Sequence, residues 1–350
     1  MMVSMREDLF NQKNVVFLIT NRATRRYIAG TDIAEGVMLV GKINAYLTDS
    51  RYFYAAREKL SSTPFSVVEY KGVETVCKLI KSVKPKTVFA DLNFITAKEY
   101  FEYKKFGVKL ISGEKQLNSI FAVKTADEIE KIKKACEITQ SALYQTIPKI
   151  KEGVTENQIK AELEKAVLSL GGDGMAFDTI VAFGKNSAVP HHETGDTMLK
   201  QNQAVLIDFG AKYQGFCADM TRTLFFGKPT DRFKLAYKTV LSANEKAEND
   251  IKIGTMAKQA FEIANDQLKK ENIDKYFTHS LGHGVGLDIH ERPALSIKSD
   301  EVLCENTVFT VEPGVYFYEE FGVRIEDTVI LTKDGVKRFF TDSKELIIIK

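Results

Sequence analysis

The run Val205-Leu206-Ile207-Asp208-Phe209-Gly210, then a turn-like Lys212-Tyr213-Gln214-Gly215, then Phe216–Phe226 with Asp219 inside it, decides the fold. Both arms are rich in β-branched and aromatic residues and read as one antiparallel ribbon. A turn centred on Tyr213 and Gln214 sets Asp208 directly opposite Asp219, with Cβ atoms ~4.5–5.5 Å apart. Like charges facing each other on a ribbon are destabilising. Val205, Leu206, Ile207, Phe209, Leu224 and Phe225 predict a buried ribbon, which raises the cost of leaving both acids without a cation.

The pattern recurs further along. Lys151-Glu152-Gly153-Val154-Thr155 is echoed by Lys252-Ile253-Gly254-Thr255, the IDFG run by Val311-Glu312-Pro313-Gly314, and Asp219-Met220-Thr221 by Glu326-Asp327-Thr328. Gly153 and Gly254 are 101 residues apart, Asp208 and Glu312 104, and Asp219 and Glu326 107, a drift that small insertions explain. Each half reads as helix, helix, then a ribbon with an acid on each arm. Thr125 with Glu128 and Thr155 with Gln158 are capping boxes that open the first two helices, and two more helices follow Thr230 and Thr255. This is an α+β domain with an internal pseudo-twofold repeat.

A lone acid ordinarily finds a salt-bridge partner or water. Four acids at equivalent points of two buried ribbons ask instead for divalent metal. An imidazole ligand is at hand in His279-Ser280-Leu281-Gly282-His283-Gly284-Val285-Gly286-Leu287-Asp288-Ile289-His290-Glu291, where glycines suit a tight loop. A carboxylate-rich set with one imidazole suits Mn, Co, Fe or Zn. All five histidines of the chain, at 191, 192, 279, 283 and 290, fall in this C-terminal half, and His191-His192 follows a loop at the mirrored place of the repeat.

The remaining composition is that of an ordinary globular protein. The 350 residues carry 49 Lys+Arg against 47 Asp+Glu, a net charge of +2 that removes the electrostatic case for a nucleic-acid partner. No apolar run approaches the roughly 18 residues of a membrane span, and Met1–Thr20 reads as no leader peptide. The four cysteines show no CxxC spacing, so neither a disulfide framework nor a thiolate zinc site is expected. A cytoplasmic location follows as an expectation. Residues 1–122 read as a separate α/β domain, with β-rich runs at Val15–Thr20, Gly36–Val40, Ala45–Thr48, Phe65–Tyr70 and Thr87–Asp91 and helical spacing at Val73–Val83 and Thr96–Phe106. Its polar residues form no constellation, which points to a structural or oligomerising role. Residues 123–350 form the second domain.

The C-terminal residues resemble the pita-bread metallopeptidases, in the Xaa-Pro branch of aminopeptidase P and prolidase. The resemblance is carried by IDFG with Asp208, ADMTRT with Asp219, HSLGHGVGLDIHERP with His283, TVEPGVY with Glu312 and GVRIEDT with Glu326, in order over residues ~125–350. The first domain resembles the creatinase-type N-terminal domain, notably in Leu47-Thr48-Asp49-Ser50-Arg51-Tyr52-Phe53. The resemblance implies a dinuclear site, most simply two Mn ions, with Asp208 on one metal, His283 on the other, and Asp219, Glu312 and Glu326 shared. It implies that a metal-bridging hydroxide attacks the bond before proline. Glu312 then doubles as proton shuttle, His191 lines the substrate pocket, and His290 contacts the scissile carbonyl. His279 falls on a recurrent position, and Arg324, two residues before Glu326, can brace a ligand acid. His192 is read as loop structure. Proline-containing peptides as substrate and a homodimer are further implications. The competing reading is a non-catalytic pita-bread module that binds peptides or proteins, against which a complete ligand set argues.

Overall fold

The computed structural model describes Asp8–Lys350, apart from the side chains of Ser119 and Ile120; Met1–Glu7, within the stretch read for a leader, lie outside the described residues. The chain forms two compact units, one ending at Phe121 and one spanning Ala122–Lys350.

The first unit is a mixed six-stranded sheet. Its strands are β1 (Val15–Ile19), β2 (Val37–Gly41), β3 (Ala45–Thr48), β4 (Ser66–Glu69), β5 (Thr87–Ala90) and β6 (Leu110–Ser112), in the order β4-β3-β2-β1-β5-β6. Parallel β1–β5, β5–β6 and β3–β4 pairs flank antiparallel β1–β2 and β2–β3. Val16, Leu18, Leu39, Leu47, Val88 and Leu110 pack with Val76, Cys77 and Ile80 from the helix Val73–Val83 into its core. The strand β6 and the helices Arg22–Ala29, Phe53–Lys59 and Glu114–Phe121 add to the elements read from the sequence.

The second unit repeats a helix pair and a ribbon. Ala126–Thr146 and Glu156–Ser169 form the first pair, each opened by its capping box at Thr125/Glu128 and Thr155/Gln158. Asp231–Asp250, capped by Thr230, and Ala257–Lys269 form the second; the latter is capped from Met256 with Gln259, one residue beyond Thr255. The repeat extends to individual hydrogen bonds. The Gly153 N–H donates to Leu199 O and the Gly254 N–H to Leu303 O, both at 2.9 Å, and the bridge Thr155–Met198 is matched by Met256–Val302.

The strands of this unit are β7 (Gly174–Met175), β8 (Ile180–Phe183), β9 (Gln203–Phe209), β10 (Ala211–Tyr213), β11 (Phe216–Cys217), β12 (Met220–Phe226), β13 (Gly282–Gly284), β14 (Glu291–Leu295), β15 (Val308–Val311), β16 (Gly314–Phe317), β17 (Phe321–Arg324), β18 (Asp327–Thr332), β19 (Gly335–Arg338) and β20 (Ile348–Ile349). One sheet runs β20-β12-β9-β8, another β14-β13-β15-β18-β19. Alanines at 236, 243, 247, 257, 260 and 264 let the second helix pair close tightly on the aromatic and aliphatic faces of the ribbons.

The structure corrects the register of the first ribbon. Asp208 faces Thr221 and Phe209 faces Met220, so Asp219 is not directly opposite Asp208 but one alternation further along, diagonal on the same face. The cause is the turn. Its central residues are Gln214 and Gly215, at φ +47 and +77, the left-handed pair that a tight hairpin turn demands and that glycine in second place allows. Gly210 is required for a different reason: a Cβ there would meet Ala218 O at 1.7 Å, where the two arms cross closest beside the acids.

Candidate metal centre

The ribbons converge on a cavity of about 670 Å³ whose wall includes Asp208, Asp219, His283, Glu312 and Glu326, together with His191, His279, His290 and Arg324. Every site residue read from the sequence therefore reaches one cavity. Asp219, His283 and Glu326 each offer a ligand atom within 4.8 Å of the others. The His283 Nε2 lies 3.5 Å from Asp219 Oδ2 and 3.4 Å from Glu312 Oε1.

The tautomer of His283 is set by its backbone. Nδ1 sits 3.1 Å from the Gly284 carbonyl, which can only accept, so Nδ1 carries the proton and Nε2 turns a lone pair to the acids. Burial, reinforced by the His290 ring 4.3 Å away, pushes this imidazole down to about 4 and keeps it neutral. A lone pair facing carboxylates is repulsive unless a cation stands between them.

The acids are equally in want of one. Burial first, then Glu326, Asp208 and Glu312, hold the Asp219 carboxyl well above the usual range. Burial, with Glu312 and Asp208 beside it, does the same to Glu326, and burial pushes Glu312 up to about 8. Asp208 Oδ1 and Asp219 Oδ1 are buried with no hydrogen-bond partner. Orphaned carboxylate oxygens, crowded like charges and an imidazole lone pair are the donor set of a divalent metal centre, and the residues fit one.

Hydroxyls and one guanidinium orient these acids, and most were not singled out from the sequence. Thr221 Oγ1 donates to Glu326 Oε2 at 2.6 Å, and Thr310 Oγ1 donates to Glu312 Oε1 at 3.1 Å while accepting the His283 N–H. Arg324 braces one of these acids, Asp208: Nη2 meets Oδ2 at 2.6 Å, and Nε donates to Thr221 Oγ1. Arg324 Nη1 also donates to the Tyr316 hydroxyl at 2.7 Å, and that hydroxyl lies 2.9 Å from His279 Nε2. Tyr316 stands in the TVEPGVY run, and its place four residues after Glu312 was the available signal. Arg222, buried, donates to the Glu326 carbonyl and pairs with Asp327 and Asp342.

The remaining histidines differ in setting. His191 and His290 are exposed to the cavity, free to meet a ligand. Burial, then the Arg324 charge, pushes His279 down to about 4. His192 instead points at buried Glu156, Nε2 to Oε2 2.9 Å, and ties down the loop as its bland reading expected.

Comparison with known proteins gives the family and the architecture. Residues 130–333 match the metallopeptidase family M24, and residues 5–120 match the creatinase/prolidase N-terminal domain. The Xaa-Pro dipeptidase of Pyrococcus furiosus is 35% identical over 323 residues, 92% of each chain. Among solved structures, an Xaa-Pro dipeptidase from Bacillus anthracis superposes with a TM-score of 0.93 at 33% identity, covering 99% of both chains. An X-Pro aminopeptidase from Thermotoga maritima does so with 0.87 at 35%, covering 98% of this chain and 99% of that one. A creatinase-type α/β domain followed by a pita-bread domain is thus the architecture, and the chain belongs to metallopeptidase family M24.

Proposed function

We propose that this metallopeptidase hydrolyses the peptide bond preceding proline. The observation that carries the reading is the donor set of one cavity: four carboxylates line it, and the His283 Nε2 lone pair faces Asp219 and Glu312, with Asp219, His283 and Glu326 clustered within 4.8 Å. The bond before proline is a tertiary amide without an N–H, so a site that grips the free amine, the carbonyl and an apolar ring suits it better than one that reads backbone donors. Relatives at 33–35% identity that carry the names Xaa-Pro dipeptidase and X-Pro aminopeptidase support that choice.

Asp208, Asp219, His283, Glu312 and Glu326 would hold two divalent metals, manganese being the expected pair. When bound, they supply a water of lowered pKa and neutralise developing negative charge. Glu312 is the proton carrier. Thr310 occupies its Oε1, which leaves Oε2 to take the proton of the attacking water and pass it to the departing proline nitrogen. His290, exposed on the wall, donates to the carbonyl oxygen as it becomes tetrahedral, and His191 orients the peptide. Arg324 and Tyr316 keep Asp208 and His279 in place. We further assign residues 1–122 to an oligomerising domain, residues 123–350 to catalysis, and the protein to a cytoplasmic homodimer; among the described residues no helix is long and apolar enough to cross a membrane.

The test is an assay on an Xaa-Pro dipeptide and a longer Xaa-Pro-Xaa peptide. Chelation abolishes cleavage and Mn restores it if the reading holds; undiminished cleavage by the chelated protein defeats it. A fold kept only for binding peptides predicts no cleavage after Mn loading.

A further inference from the structure

The cavity carries one ammonium that the reaction above leaves unused. Lys160 lines its wall, half-buried, on the helix Glu156–Ser169. Apart from histidine, the wall has two basic side chains. Arg324 is committed to Asp208, Thr221 and Tyr316, whereas Lys160 makes no hydrogen bond or ion pair among the described residues.

The position is rigid. Glu156, fully buried in the first turn of the same helix, accepts from Phe183 N and Asn186 Nδ2 at 2.8 Å, from Gly195 N at 3.1 Å, and contacts His192 Nε2. These bonds turn that helix face to the loop that brings His191, Glu193 and Thr194 to the cavity. Lys160 stands one turn later on the same face. The two wall acids outside the proposed ligand set, Asp178 and Glu193, are exposed and pair with nothing among the described residues, Lys160 included. A cation partly withdrawn from water beside Phe177 and Ile180 has given up hydration without gaining a partner, and an arriving anion restores the balance.

We infer that Lys160 recognises a carboxylate of the substrate and so sets specificity within the Xaa-Pro reading, on which this inference rests. Two substrate carboxylates have this chemistry: the C-terminus of an Xaa-Pro dipeptide, and the side chain of Asp or Glu in the residue before proline. The first makes the enzyme a dipeptidase by selection, and the second makes it selective for acidic residues before proline.

Two substrate pairs separate them. Ala-Pro against its C-terminal amide isolates the terminal carboxylate, and Glu-Pro amide against Gln-Pro amide isolates the side chain. In the Mn-loaded wild type one pair shows a preference for the charged member of roughly ten- to hundred-fold in kcat/KM, carried by KM. Lys160→Met brings that ratio close to one, Lys160→Glu inverts it, and Lys160→Arg preserves most of it, with folding checked by thermal melting. The pair that responds names the carboxylate. Ratios in Lys160→Met and Lys160→Glu that equal the wild type for both pairs overturn the inference while leaving Xaa-Pro hydrolysis intact. Cleavage of none of the four substrates by the Mn-loaded wild type overturns the hydrolase reading, and this inference with it.

Discussion

In the first ribbon Asp208 faces Thr221 and Asp219 lies one alternation further along. In the second, Glu312 and Glu326 continue the register that sets Val311 against Asp327 and Gly314 against Arg324, so they face each other. The histidine is also one-sided. β13 brings His283 against β15, whereas β8, which pairs with β9 in the first half, carries only Ile180–Phe183. The bracing crosses over: Arg324 of the second ribbon holds Asp208 of the first, while Thr221 and Arg222 of the first hold Glu326 of the second. A duplicated scaffold has therefore produced an unsymmetrical site in which neither half positions its acids alone. The two metals proposed for it would occupy unlike environments, one near an imidazole and one near acids only.

Breaking the second ribbon has the largest expected effect. Glu326→Gln removes the charge of a proposed shared ligand and should lower kcat/KM by about 10³-fold or more, since a metal's stabilisation of transition-state charge amounts to several kcal/mol. Activity within about tenfold of wild type would mean that the second ribbon does not carry the site. Next, Arg324→Met cuts the brace across the ribbons and leaves Asp208 buried without its partner. Denaturant unfolding should show a loss of about 3 kcal/mol, and Mn affinity should fall roughly 10–100-fold.

Acidity sharpens the same comparison. Glu312 is pushed up to about 8 and Asp219 and Glu326 are also raised, against an unfolded glutamate value of about 4.3. Between those limits the metal-free fold binds protons that the unfolded chain has released. The stability these acids contribute is therefore lost as pH rises towards 8, and the loss stands alone above about 6.5, because below it the neutral buried His279 and His283 act with the opposite sign. Metal replaces those protons, so the gap in melting temperature between Mn-loaded and chelated protein should widen from pH 5 to pH 8. A gap that narrows would contradict the crowding of acids. Smaller still, Thr221→Val and Thr310→Val remove one hydroxyl from Glu326 and Glu312 respectively, and each should weaken Mn binding by about tenfold. Weakening by only one of them would show that one ribbon's bracing is dispensable.

Much of this was legible in the sequence. The helix starts at Thr125 and Thr155 were readable because a capping box is local, needing only residues three apart. The gathering of these five residues in one cavity was readable because acids in apolar runs, and histidine among glycines, violate what a buried ribbon tolerates. The register was misread by one turn residue, since Tyr213-Gln214 and Gln214-Gly215 both fit a tight turn and only the left-handed pair at 214 and 215 decides between them. Thr221, Thr310, Tyr316 and Arg222 went unassigned for another reason. Their importance comes from partners about 105, 2, 8 and 104 residues away, and a threonine in a strand is ordinary until its neighbour across the ribbon is known. The first unit's sheet order was likewise unreadable, because parallel pairing leaves no turn signature.

The central claim is that four acids drawn from both ribbons, with His283 from β13, hold two metals. Elemental analysis of Mn-loaded, desalted protein tests it most directly, with wild type beside His283→Ala and Asp208→Asn. Near two equivalents in wild type, falling in either variant, is the predicted result. Two equivalents retained in both variants, or none in wild type, would contradict it.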